Sequence, residues 1–118
     1  MTTATLTITN GNTTKILIRS HDGYMVGREI TKVLNDLKND ELEINNIDAL
    51  IDLLTDEEGY DGAFEEINEF ESKSGNENGL DFGFEFYGAD YNWFVELKNE
   101  TEATIYGNSC NSVEVYRV

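Results

Sequence analysis

The sequence has no proline, one cysteine, one histidine and few basic residues, and each scarcity excludes a class of structure or function. A single cysteine, Cys110, cannot form an intramolecular disulfide. One cysteine and one histidine are also too few ligands for a typical zinc site. Eight Lys and Arg against 24 Asp and Glu leave a net charge of −16 over 118 residues. Direct binding of nucleic acid through its phosphates needs the opposite charge, so we expect none.

Long apolar segments are missing as well. No apolar run approaches the roughly 20 residues that cross a bilayer, and the opening MTTATLTITN has neither the basic start nor the apolar centre of a secretory signal. An anionic membrane surface would repel so acidic a chain. We therefore expect a single acidic domain over residues 1–118, located in the cytoplasm and without membrane contact.

The first half of the chain predicts a hairpin followed by two helices. Residues 4–9 alternate apolar and threonine side chains, and residues 15–19 return after Asn10-Gly11-Asn12, a typical hairpin turn. Helical spacing then predicts an amphipathic helix that ends at residues 39–40 and a second helix that begins at Asn45 or Asn46. The apolar positions are Val26, Ile30, Val33, Leu34 and Leu37 in the first helix and Ile47, Leu50, Ile51 and Leu54 in the second.

The second half of the chain predicts mainly strands. A third helix is expected over residues 63–71, before an alternating pattern takes over. That pattern predicts strands at residues 82–87, 91–97, 104–106 and 113–118. Because helices and strands are segregated along the chain, we predict an α+β domain with an antiparallel sheet of about 5–6 strands and 2–3 helices packed on one face, in the order ββ-α-α-(α)-ββββ.

The negative charge is concentrated in the middle of the chain. Residues 36–85 contain 17 Asp and Glu but only two Lys, a net charge of −15. Asp48, Asp52 and Asp56 recur every four residues, which places them on one stripe of the predicted second helix. Since like charges at this spacing destabilise a helix, the pattern indicates that the negative surface is itself useful. The candidate partner-binding residues are Asp48, Asp52, Asp56, Glu57, Glu58, Asp61, Glu65, Glu66 and Glu69.

No pattern predicts catalysis, a cofactor or a metal site. His21 has no nucleophile at a supporting spacing, so we expect no catalytic residue and no enzyme. Residues 74–85 partly match a calcium loop, with Ser74, Asn76 and Asn78 at ligand positions and Glu85 at the last. The first ligand should be Asp, and strand rather than helix is predicted after the loop. Calcium binding remains an alternative that a thermal melt with calcium would test.

Seven aromatic residues fall within thirteen positions of the predicted sheet. They are Phe82, Phe84, Phe86, Tyr87, Tyr91, Trp93 and Phe94. Most are predicted to lie in the core. Any that face outward beside acidic side chains would suit a protein interface, where aromatic rings often dominate the binding energy.

The segment HDGYMVGREITKVL, residues 21–34, follows directly on the predicted hairpin. It resembles a group of small acidic proteins of phages and mobile elements, in which a strand ends in a His-containing turn with Asp-Gly-Tyr and a nearby Gly before an amphipathic helix. Asp22, Gly23, Tyr24 and Gly27 match that pattern, whereas Met25 replaces the usual proline. The resemblance implies a phage-borne accessory protein, such as an anti-CRISPR or another anti-defence factor, acting in the host cytoplasm.

Two functional hypotheses follow. The first is a non-enzymatic inhibitor whose acidic helices mimic nucleic acid and block the basic groove of a host nucleic-acid-binding protein, such as a CRISPR effector or a defence nuclease. The alternative is a general protein-interaction module, of the immunity or structural accessory type, that binds through its aromatic sheet. An acidic face that serves only solubility is the competing interpretation of the charge.

Overall fold

A computed structural model describes residues 2–56, 58, 63–67, 89–109 and 113–118. These residues form an α+β fold, as predicted, with two α-helices and a six-stranded sheet. The elements in chain order are β1 (Ala4–Thr9), β2 (Thr14–Arg19), α1 (Val26–Asn39), α2 (Ile47–Thr55), β3 (Glu65–Ile67), β4 (Tyr91–Leu97), β5 (Ala103–Ser109) and β6 (Val113–Arg117). Neither described helix has the length and apolar character needed to cross a membrane.

The predicted hairpin is confirmed. β1 and β2 pair antiparallel with Thr9 opposite Thr14, so the loop has four residues. Asn10 closes this loop, because its side-chain oxygen accepts hydrogen bonds from the backbone N–H groups of Asn12 at 3.0 Å and Thr13 at 2.8 Å. Gly11 has a φ of 93°, a backbone conformation that glycine adopts without strain.

The sheet was predicted to be purely antiparallel, and this is wrong for its two central strands. The strand order is β3-β2-β1-β4-β5-β6, and β1 runs parallel to β4 with Leu6 opposite Trp93. The other neighbouring pairs are antiparallel. Parallel neighbours need a long crossover connection. The chain between β2 and β4 contains both helices, and it returns to the free side of β1 in the same direction as β1 itself.

The predicted third helix is wrong for the described part of residues 63–71. Glu65–Ile67 forms β3, which pairs with β2 and places Glu65 opposite Ile18. Strand pairing satisfies backbone groups that β2 would otherwise leave unpaired at the sheet edge. Phe64, which is 2% exposed, anchors the segment in the core. Residues 68–71 and the predicted strand at 82–87 lie outside the described residues.

One face of the sheet carries the hydrophobic core beneath the two helices. α1 packs on β5 and β6, and α2 lies near β3. Trp93 of β4 is 1% exposed at the centre, and its indole N–H donates to the backbone oxygen of Gly23 at 2.8 Å. Gly27 of α1 and Gly107 of β5 both lie against this ring, where a Cβ atom would overlap it. The buried tryptophan therefore fixes how α1 sits on the sheet.

Candidate interaction surface

The acidic surface consists of the described carboxylates between residues 40 and 58, a stretch without a single Lys or Arg. Its members are Asp40, Glu41, Glu43, Asp48, Asp52, Asp56 and Glu58. All seven side chains are exposed. None of them forms an ion pair with a described basic residue, since the two ion pairs within the described ranges are Arg19–Glu29 and Lys32–Asp36. The surface therefore presents its charge to solvent without pairing to a described Lys or Arg.

Helix α2 positions the central pair of carboxylates. Asn46 is the N-cap, and its side-chain oxygen accepts from the Ala49 N–H at 3.2 Å, which confirms one of the two predicted starts. The apolar stripe of α2 is buried, so Asp48 and Asp52 project from the opposite, exposed side. Residues four positions apart on a helix lie about 6 Å from one another. Asp48 is also favoured by the helix dipole, because it lies in the first turn.

The predicted stripe does not extend to Asp56. This residue is the C-cap of α2 with extended backbone angles, and its carboxylate accepts from the Glu58 N–H at 3.0 Å. Glu65 and Glu66 are adjacent residues of β3, exposed and half-buried, rather than members of a helical face. Glu57, Asp61 and Glu69 lie outside the described residues. Of the nine predicted residues, α2 itself therefore carries two.

The turn between α1 and α2 adds three acidic residues that the argument from helical spacing missed, namely Asp40, Glu41 and Glu43. The N–H of Leu42 donates to the oxygen of Leu37 at 2.9 Å, and the N–H of Glu41 donates to that of Lys38 at 2.9 Å. These two bonds form a Schellman motif, in which the residue after the C-cap is usually glycine. Here that residue is Glu41, with a φ of 61°. A charged residue thus occupies a position where local backbone energy favours glycine.

Glu41→Gly should therefore raise the free energy of unfolding by about 0.5–1 kcal/mol, because glycine adopts a positive φ without strain. Urea unfolding followed by circular dichroism measures the change. Glu41→Ala is the matched control, since it removes the same charge and keeps the strain, so it should leave stability nearly unchanged. Equal stabilisation by both variants would show that charge repulsion, and not backbone strain, is what Glu41 contributes.

An apolar groove adjoins the acidic surface, and the sequence pattern did not reveal it. It lies between the end of α1 and α2, with a volume of about 360 Å³. Leu37 and Leu50 line it, together with Leu42 and Leu53, which are 54% and 37% exposed. The signal in the sequence was that Leu42 and Leu53 are apolar but fall outside the predicted buried stripes.

The described aromatic residues of the sheet are divided between its two faces. Trp93 is buried on the helix face, where Tyr91 stacks on it at a ring-centroid distance of 6.4 Å. Phe94 and Tyr106 stack at 5.2 Å on the other face and are half-buried. Burial raises the pKa of the Tyr106 hydroxyl, and the nearby charge of Glu96 and a hydrogen bond to it raise it further. Phe82, Phe84, Phe86 and Tyr87 lie outside the described residues.

Among the described residues, the remaining features of the sequence do not form a group of side chains suited to catalysis or metal binding. His21 is exposed, and its backbone oxygen accepts from Nε of Arg19 at 2.9 Å. The left-handed residue of the His21-Asp22-Gly23 turn is Asp22. Gly23 is buried, and a Cβ atom there would lie 2.7 Å from the Thr3 oxygen, so the position has no room for a side chain. Within the described ranges, no three His, Cys, Asp or Glu side chains converge on a possible metal site. Residues 74–85 and Cys110 are outside those ranges.

Comparison of the chain with protein-family models, curated proteins and solved structures gives no match.

Proposed function

We propose that the protein is a non-enzymatic inhibitor that uses the acidic surface as a nucleic-acid mimic to block a basic DNA- or RNA-binding groove. The observation that carries the proposal is the exposure of all seven described carboxylates between residues 40 and 58, in a stretch without a basic residue. The expected target is a nucleic-acid-binding protein of the host, such as a CRISPR effector or a defence nuclease.

The geometry suits this role because part of the charge is held rigidly. Asp48 and Asp52 are fixed on a capped helix whose apolar side is buried in the core. Their separation of about 6 Å is of the same order as the spacing of phosphates along a nucleic-acid strand. Carboxylates held in place lose little conformational entropy on binding, so more of the Coulomb attraction remains as affinity.

The charge also acts before contact is made. Complementary fields steer association and can raise its rate by orders of magnitude at low ionic strength. Basic grooves that accept nucleic acid recognise the backbone by charge and shape, which is what an acidic protein surface can imitate. The same physics makes the complex sensitive to salt, since exposed charges are screened beyond about 10 Å at 0.1 M.

The alternative, a general interaction module that binds through the aromatic sheet, has less support among the described residues. Trp93 is 1% exposed, and its indole N–H is already used within the protein. Phe94 and Tyr106 are the described pair on the other face, and they are half-buried. A sheet-driven complex would survive about 0.5 M salt much better than a charge-driven one, so a salt titration separates the two.

The test is a nuclease assay with a panel of purified CRISPR effectors and defence nucleases. The wild-type protein should inhibit DNA or RNA cleavage by at least one of them, and excess substrate should relieve the inhibition, because substrate and inhibitor compete for one groove. The double reversal Asp48→Lys/Asp52→Lys should weaken inhibition by about tenfold or more, because it changes the local charge by four units. Circular dichroism should show that the variant stays folded, since α2 loses only about 1 kcal/mol at its first turn.

Glu96→Lys/Glu114→Lys is the matched control. It makes the same change in net charge at two exposed residues of β4 and β6, away from the acidic surface. It should leave inhibition nearly unchanged. Equal loss in both double variants would mean that net charge alone matters, and inhibition that survives Asp48→Lys/Asp52→Lys would rule out the acidic surface as the binding site.

A further inference from the structure

The groove beside the acidic surface has the form of a site for an apolar side chain. Its volume of about 360 Å³ lies at the lower end of the range of roughly 300–1,000 Å³ seen in binding pockets. Leu42 and Leu53 flank it and remain 54% and 37% exposed. Ala49 also lines the groove, and its small side chain takes up little of the space.

Two backbone motifs hold the groove in shape. The Schellman motif at the end of α1 places Leu42, and the backbone N–H of Ile44 donates to the oxygen of Glu100 at 3.0 Å, which ties the turn to the end of the sheet. On the other side, the capped start of α2 fixes Leu50 and Leu53. A site formed by structure already present in the free protein needs little ordering when a partner binds.

The charges around the groove select the occupant. Glu41 and Glu43 line it directly, and none of the described residues that line it is Lys or Arg. An acidic or neutral apolar segment would gain no electrostatic attraction from Glu41 and Glu43. A segment with Lys or Arg beside an apolar side chain would form ion pairs with them. A second copy of this chain would bring the same surplus of negative charge, which opposes self-association.

We propose that the groove binds an apolar side chain of a cationic amphipathic segment of the partner, with flanking Lys or Arg residues on Glu41 and Glu43. The proposal rests on the proposed function and adds to it the chemistry of the target. The target should present an apolar side chain within its basic surface. Apolar contact in the groove supplies affinity that salt does not screen, whereas the acidic surface supplies steering.

The test uses two fluorescein-labelled peptides and the full chain. One is a short lysine-rich peptide with two leucines one helical turn apart, and the other has serine in place of both leucines and therefore the same charge. Fluorescence anisotropy should show the leucine peptide binding about tenfold more tightly, which is the expected effect of burying one large apolar side chain. Backbone NMR shifts on titration should be concentrated in residues 37–53.

Leu42→Ser/Leu53→Ser should bring the affinity for the leucine peptide down to that for the serine peptide. The matched control is Val113→Ser/Val115→Ser, which removes two valines that are 67% and 48% exposed on β6. It should leave both affinities unchanged. Thermal melts verify that both double variants fold.

The outcomes distinguish this inference from the proposed function. Equal binding of the two peptides would overturn the groove proposal while leaving the acidic surface in place as the binding site. Failure of both peptides to bind at low salt would contradict both proposals. A dimer detected by sedimentation and dissolved by Leu42→Ser/Leu53→Ser would show that a second copy occupies the groove, and it would overturn the partner proposed for it.

Discussion

Gly107→Ala should lower the free energy of unfolding by about 3–5 kcal/mol, out of the 5–15 kcal/mol typical of a domain. The Cβ atom of alanine would overlap the six-membered ring of Trp93, which lies opposite Gly107 in the pairing of β4 and β5. Overpacking of this kind costs about 1–3 kcal/mol when the neighbour can move. Trp93 cannot move freely, because Gly27 of α1 also lies against its ring and its indole N–H donates to the Gly23 oxygen.

The cost expected for Gly107→Ala exceeds that of overpacking alone because it includes the loss of the buried hydrogen bond between Trp93 and Gly23. If the indole shifts, the Gly23 oxygen and the indole N–H are separated, which adds about 1–3 kcal/mol. Urea unfolding followed by circular dichroism measures the total. Thr104→Ala, in the same strand but on the opposite face, should cost less than about 1 kcal/mol.

A double-mutant cycle provides the sharper test of this contact. Combining Gly107→Ala with Trp93→Leu removes the ring that the new methyl group meets, so the double variant should be more stable than the two single costs predict. A coupling free energy of about 1 kcal/mol or more is expected for residues in direct contact. Strictly additive costs would mean that the indole does not lie against Gly107.

Arg19→Met should lower the free energy of unfolding by about 2–4 kcal/mol, which is the second large effect that we expect. The Arg19 side chain is 1% exposed, and it pairs through Nη1 with a Glu29 oxygen at 2.6 Å. Its other nitrogens donate to the backbone oxygens of His21 and Asp22, each at 2.9 Å, and its guanidinium lies 4.9 Å from the ring centre of Phe64. One side chain therefore joins β2, the turn before α1, α1 itself and the residue that precedes β3.

The physical reason for this cost is that methionine keeps the apolar stem and removes every polar contact. Breaking a buried pair costs about 3–5 kcal/mol, and the value is reduced here because Glu29 remains 31% exposed and can be solvated. Glu29→Met added to Arg19→Met should recover part of the loss, since no carboxylate is then left without its partner. Thermal and urea unfolding of the two variants measure the recovery.

Lys32→Met provides the comparison. It removes the Lys32–Asp36 pair, whose side chains are 78% and 58% exposed, and such a pair contributes little to stability because solvent screens it. A loss from Arg19→Met no larger than that from Lys32→Met would contradict the role assigned to the buried arginine.

Sequence periodicity was sufficient for the elements that local interactions stabilise. The β1–β2 hairpin, α1 and α2 were predicted close to their observed limits, because their alternation, helical spacing and Asn46 cap act over a few residues. The same periodicity misled at Glu65, where the spacing of glutamates indicated a helix and pairing with β2 gave a strand. β3 has only three residues, and its partner strand β2 is far away in the chain, so no local pattern could predict the pairing.

The candidate site shows the same division. The position of the acidic residues along the chain is read directly from the sequence, which places most of the negative charge between residues 36 and 85. Only the tertiary structure showed which of those carboxylates share a surface. Asp56 leaves the helical stripe at the C-cap, and Glu41 joins the acidic surface from the turn after α1, which the argument from helical spacing of the carboxylates did not include.

The sequence by itself therefore determined the acidic character of this protein, its fold class and the limits of its local elements. The parallel pairing of β1 with β4, the edge strand β3, and the groove between α1 and α2 were decided by tertiary structure. The physical reason is the range of the interactions. Capping and amphipathic spacing are encoded within one segment, whereas strand pairing and the walls of a groove depend on residues that are brought together only when the whole chain folds.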